Sequence, residues 1–125
     1  MLIAYDSLTG NVKRFITKVS KDSPSLRVVD IKDNPIINEK FVLVTYTIGF
    51  GNVPETTEKF LNENHKNLIA VASSGNLVWG SNFGKSGDII SKQYGVPLII
   101  KFELSGTTKD VEKFTQEVIG IDNNS

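Results

Sequence analysis

Five short apolar runs punctuate the chain, at Leu2–Tyr5, Leu26–Ile31, Phe41–Tyr46, Leu68–Ala72 and Pro97–Phe102, with helical periodicity in most of the gaps between them. A run that is apolar at nearly every position suits a strand covered on both faces, because a half-exposed strand alternates instead. The gaps place Val12, Phe15, Ile16 and Val19, then Phe60 and Leu61, then Ile89, Ile90 and Tyr94, and last Val111, Phe114 and Val118 at helical spacing. Strands alternating with helices predict a parallel sheet with right-handed crossovers and helices on both faces. This is a five-stranded doubly wound α/β fold, for which the expected strand order is 2-1-3-4-5. The link from Lys32 to Lys40 holds Pro35 and no helical period, so one crossover helix is expected to be reduced or missing. The chain's 125 residues suit one domain, expected over 1–121, with the polar Asp122-Asn123-Asn124-Ser125 as a frayed tail.

Composition removes several function classes. Lysine and arginine number 14, aspartate and glutamate also 14, so no global charge draws the chain to nucleic acid or an anionic membrane. With no cysteine, thiolate catalysis, disulfides, zinc ribbons and iron–sulfur ligation all drop out, and any redox chemistry needs a bound organic cofactor. The N-terminus turns polar after five residues and no apolar run is long enough to span a membrane, so the expected location is cytoplasmic.

In a doubly wound sheet, ligands bind outside the carboxyl ends of the strands, near the switch point between strands one and three. Three unusual stretches fall there. Ser7-Leu8-Thr9-Gly10-Asn11 joins a strand to a helix, and free backbone N–H groups with hydroxyl and amide side chains could surround a phosphate without a fixed cation. Thr45-Tyr46-Thr47-Ile48-Gly49-Phe50-Gly51-Asn52 puts glycines around an aromatic that is expected at an exposed rim. Ser74-Gly75-Asn76, Trp79-Gly80 and Asn82-Phe83 combine stacking surfaces with amides that can bond a heterocycle edge. Each stretch also has a commonplace explanation: a helix cap, a tight turn before Pro54, a core tryptophan. Together they suit a phosphate and a planar ring, the two parts of FMN. For such a ligand, the Ile48–Gly49 peptide is the expected one to rotate between flavin oxidation states, glycine being free to enter positive φ.

Competing functions are weaker. A phosphoaccepting receiver domain would use Asp6, Ser73 and Lys101, but strand three ends in Thr45-Tyr46-Thr47 with no carboxylate to accept a phosphoryl group. Gly80-Ser81-Asn82-Phe83-Gly84-Lys85-Ser86 has three residues between its glycines where a nucleotide P-loop has four. His65 sits near a predicted helix end without plausible metal partners, so no metal site is expected.

Tyr5-Asp6-Ser7-Leu8-Thr9-Gly10-Asn11-Val12-Lys13-Arg14-Phe15, Thr45 through Pro54, Ser74-Gly75-Asn76 with Trp79-Gly80, and Val96-Pro97 with Lys101 through Thr107 together resemble the NrdI family. These are the flavodoxin-like accessory proteins of class Ib ribonucleotide reductase. The resemblance implies FMN held by Ser7 to Val12, Thr45 to Gly51, and Ser74, Gly75, Asn76, Trp79, Gly80, Asn82 and Phe83. It also implies a flavin reductant, reaction of reduced flavin with dioxygen, and delivery of superoxide or electrons to the metal-bearing small subunit for assembly of a dimanganese tyrosyl-radical cofactor. A general one-electron flavodoxin carrier is the alternative, and a non-catalytic receiver-like interaction module a further one. Leu77 and Val78 stand where many members carry a polar or basic pair.

Overall fold

The computed structural model describes residues 1–123. Strands β1 (Leu2–Tyr5), β2 (Arg27–Asp30), β3 (Phe41–Tyr46), β4 (Leu68–Gly75) and β5 (Leu98–Glu103) form one parallel sheet in the order β2-β1-β3-β4-β5. Helices α1 (Asn11–Asp22), α2 (Glu55–Asn64), α3 (Lys85–Tyr94) and α4 (Thr108–Asn123) pack on it. The expected order and element sequence are both present.

The apolar runs are continuous because adjacent residues serve opposite cores. Ile3, Val42, Val44, Ala70, Ala72 and Phe102 meet Val12, Phe15 and Val19 of α1 and Val111, Phe114 and Val118 of α4 on one face. Leu2, Ala4, Phe41, Leu43, Leu68 and Val71 meet Phe60 and Leu61 of α2 and Ile90 of α3 on the other. Phe15 stacks on Phe102 at 3.9 Å and meets Phe114 edge-on at 5.4 Å, tying α1, β5 and α4 together.

The β2–β3 crossover holds only a 3-10 turn, Ile31–Asp33, followed by extended chain. Ile31 and Ile37 fill the space a helix would cover, and Asn64 fastens the segment by accepting the Ile37 N–H at 2.8 Å. A cleft of about 370 Å³ remains beside this segment, lined by Lys32, Asn34, Thr56, Lys59, Glu63 and others.

The tail is corrected at its start. Helix α4 continues through Asp122 and Asn123, and the Asp122 carboxylate pairs with the Met1 ammonium at 3.5 Å, so the polarity of these residues does not end the helix. Asn124 and Ser125 lie outside the described residues. Among the described residues, no helix is long and apolar enough to cross a membrane.

Candidate functional site

All five strands point the same way, so the loops after β1, β3, β4 and β5 share one edge of the sheet. At the end of β1, Asp6 is fully buried; its N–H donates to the Val44 carbonyl at 2.9 Å and its Oδ2 accepts from the Thr56 and Thr57 hydroxyls at 2.5 and 2.7 Å. Thr57 also lies 2.8 Å from the Thr45 hydroxyl, so one carboxyl group locks α2 to β1 and β3. Asp6 Oδ1 is buried without a hydrogen-bond partner among the described residues. Ser73 donates to the Gly84 carbonyl and Lys101 pairs with Asp88, so the receiver-like residues are engaged in holding the fold.

The loops after β3 and β4 are stitched together. Thr47 donates to the Ser74 carbonyl at 3.0 Å and contacts Ser86, whose hydroxyl donates to the Tyr46 carbonyl at 2.9 Å. Beyond Thr47, the Ile48 N–H donates to the Asn52 carbonyl, and the Ile48 carbonyl accepts from Asn52 at 2.7 Å and Gly51 at 3.3 Å. Phe50 at the apex is 76% exposed, on the rim as expected. After β4, Asn76 Oδ1 accepts from the Val78 N–H and starts a 3-10 turn, Leu77–Asn82, broken at Gly80. That turn brings Trp79 edge-on to Phe50, with ring centroids 5.6 Å apart and planes at 90°. The loop after β5 closes the other side: Leu104 donates its N–H to Gly75 and accepts from the Ser74 hydroxyl at 2.6 Å.

These loops enclose a cleft of about 320 Å³, within the roughly 300–1,000 Å³ of small-molecule sites. Its lining takes Leu8, Thr9, Asn11 and Val12 from the first loop, Tyr46, Thr47, Ile48, Gly49 and Phe50 from the second, and Ser74, Gly75, Asn76, Trp79 and Asn82 from the third. Burial, and then the nearby Asp6 carboxyl, push the Tyr46 phenol above its ordinary pKa against an opposing Thr56 hydrogen bond, so Tyr46 stays neutral near pH 7.

Six expected residues do not line this cleft, each for a local reason. Ser7 turns its hydroxyl to accept the Lys13 N–H at 3.2 Å and Gly10 is the N-cap of α1. Thr45 is fully buried against Thr57, while Gly51 lies under Lys85 and Asn82. Gly80 is the break in the 3-10 turn, and the Phe83 ring packs against Gly75. Leu104 lines the cleft and was missed; the signal available was the Leu104-Ser105-Gly106 stretch at the carboxyl end of β5, beside β4. Cations are present after all at the first loop: the Lys32 ammonium donates to the Ser7 carbonyl, and Arg14 donates to Asn11 at 2.5 Å. In the structure the Ile48 carbonyl accepts from the Asn52 and Gly51 N–H groups, two bonds that a rotation of the Ile48–Gly49 peptide would break.

The donor set fits a phosphate-bearing planar ligand. Thr9 and Asn11, at the start of α1, line the cleft together with Trp79, Phe50 and Tyr46.

The family described as NrdI, flavodoxin-like, matches residues 3–116. A Bacillus licheniformis protein called Protein NrdI is 56% identical over 116 residues, covering 93% of this chain and 86% of its own. The SPbeta prophage-derived protein NrdI of Bacillus subtilis is 48% identical over 120 residues, covering 96% and 92%. Among solved structures, a short-chain flavodoxin associated with a non-canonical PDU bacterial microcompartment superposes with a TM-score of 0.75 at 19% identity, covering 98% of this chain and 96% of its own. A flavodoxin from the domain Archaea gives 0.72 at 17%, with the same coverage. At those identities the two flavodoxins speak for the fold alone. The family match over most of the chain, together with near relatives of almost equal length, makes this chain a member of the NrdI family of flavodoxin-like proteins.

Proposed function

We propose that this chain binds one FMN in the cleft and serves as a redox accessory protein to a class Ib ribonucleotide reductase. The observation that carries the reading is the meeting of a donor-rich helix N-terminus with an aromatic-bordered cleft at the β1/β3 switch point. Thr9, Asn11 and the α1 N–H groups would hold the phosphate; Trp79, Tyr46 and the Thr47–Phe50 backbone would border the ring. Bound FMN would supply electrons singly, either directly or to dioxygen as superoxide. Leu8, Phe50, Leu77 and Val78 are all exposed around the mouth, with Val78 at 81% and Trp79 at 48%. An apolar rim of this kind suits docking of the reductase's metal-bearing small subunit over the flavin.

The test supplies FMN-loaded, reduced protein and dioxygen to the manganese-loaded small subunit of such a reductase, reading tyrosyl radical by electron paramagnetic resonance. The expected result is radical formation that requires the protein and falls when Phe50 and Val78 are replaced by Asp. Equal radical yield without the protein would overturn the accessory role. A protein that takes FMN but gives no radical with this partner would instead be a general one-electron carrier.

A further inference from the structure

Resting on the flavin-nucleotide reading above, we propose that Arg14 and Ser105 are positioning residues: they fix the Asn11 side chain so that its NH2 group faces the phosphate of the bound nucleotide. The three side chains form a closed ring of hydrogen bonds. Arg14 Nε donates to Ser105 Oγ at 3.1 Å, Ser105 Oγ donates to Asn11 Oδ1 at 3.1 Å, and Arg14 Nη2 donates to the same Oδ1 at 2.5 Å.

The chemistry of the ring sets the amide's orientation. A guanidinium has five donors and no acceptor, so the prong of Asn11 that faces Arg14 must be the oxygen. Because Ser105 Oγ already accepts from Nε, its own proton is left for Oδ1. Asn11 lines the cleft, and among the described residues its Nδ2 has no hydrogen-bond partner. The prong with unused capacity is therefore a donor, the polarity an anionic ligand requires. A free asparagine would present either prong.

Gly10 makes room for this arrangement. Its φ of +92° belongs to glycine, and a Cβ there would lie 2.9 Å from Arg14 Nη1. The guanidinium thus folds back over Gly10 and the first loop while staying exposed. The ring also joins the loops after β1 and β5, since Asn11 and Ser105 lie 94 residues apart in sequence.

Apo-protein is titrated with FMN and with riboflavin, which lacks the phosphate, at fixed ionic strength. Wild type is compared with Arg14→Gln, Arg14→Lys, Asn11→Ala and the Arg14→Gln/Asn11→Ala double variant. Arg14 is exposed, so its replacement leaves both cores intact. Arg14→Gln should weaken FMN about tenfold and riboflavin less than about twofold. Arg14→Lys keeps the charge without the fork and should fail to restore FMN affinity. In the Asn11→Ala background, Arg14→Gln should change FMN affinity less than about twofold. The proposal is overturned if Arg14→Gln leaves FMN affinity unchanged or weakens both ligands alike, if lysine rescues, or if the two substitutions are additive. Wild type failing to bind FMN would instead remove the flavin reading on which the proposal rests.

Discussion

Thr57 shows how much of this site depends on single buried polar groups. Its hydroxyl donates to Asp6 and meets Thr45, all three side chains being fully buried. Thr57→Val keeps the shape and removes a donor from a carboxyl group that already has one oxygen unpartnered among the described residues. Urea unfolding should show a loss of about 1.5–3 kcal/mol, and a loss below about 0.5 kcal/mol would contradict the role assigned to this bond. Gly49 is a backbone counterpart, at φ +58° in the turn whose Ile48 carbonyl takes two N–H bonds. Gly49→Ala places a Cβ in the left-handed region and should cost about 1–2 kcal/mol in the same assay; no change would mean the turn relaxes freely. At this scale, legibility in the sequence was uneven. Thr9, Asn11 and Trp79 could be picked out because their loops fall together at the carboxyl ends of the strands, where a doubly wound sheet places its ligand. Ser7 and Thr45 have the same chemistry, and only the three-dimensional arrangement reveals that their hydroxyls serve the framework. Arg14 lies on the exterior of α1 by helical periodicity, which describes where a side chain leaves the backbone and not where its far end returns.

Elements were easier to read than the contacts between them. Continuous apolar runs identify strands buried on both faces, and that follows from the two cores served by alternate residues of β1, β3 and β4. The helix-free crossover was legible from Pro35, whereas the continuation of α4 through Asn123 was not, since its hold on Met1 joins the two ends of the chain. The loop after β5 was overlooked as a cleft wall because Leu104 and Ser105 carry no distinctive chemistry until β4 is placed beside them. Packing of α3 on the sheet gives a prediction at this level. A Cβ on Gly87 would lie 2.4 Å from Ser73 Oγ and 2.7 Å from Leu98 Cδ1, so α3 can approach β4 and β5 only without a side chain there. Gly87→Ala should lower stability by about 1–3 kcal/mol, despite alanine's better helix propensity. A stabilised Gly87→Ala variant would contradict this packing.

Across the whole molecule, charge is balanced and the special chemistry is confined to one edge of the sheet. All three tyrosines, Tyr5, Tyr46 and Tyr94, have phenols raised above the usual value, in each case chiefly by burial and further by neighbouring carboxylates. Folding therefore favours their neutral forms, so the associated stability is present below about pH 10 and is lost as pH rises through the higher folded values. Phenolate absorbance of the folded protein should titrate above that of the guanidinium-unfolded chain; a tyrosine titrating at or below about pH 10 in the folded protein would contradict the burial described for it. The central claim, that the cleft at the β1/β3 switch point is a flavin-nucleotide site, is tested most directly by titrating apo-protein with FMN and with FAD while following flavin fluorescence. Saturation is expected at one FMN per chain, with emission quenched by the adjacent Trp79 and much weaker binding of FAD, whose phosphate is not terminal. Unsaturable FMN fluorescence, or FAD bound as tightly as FMN, would contradict it.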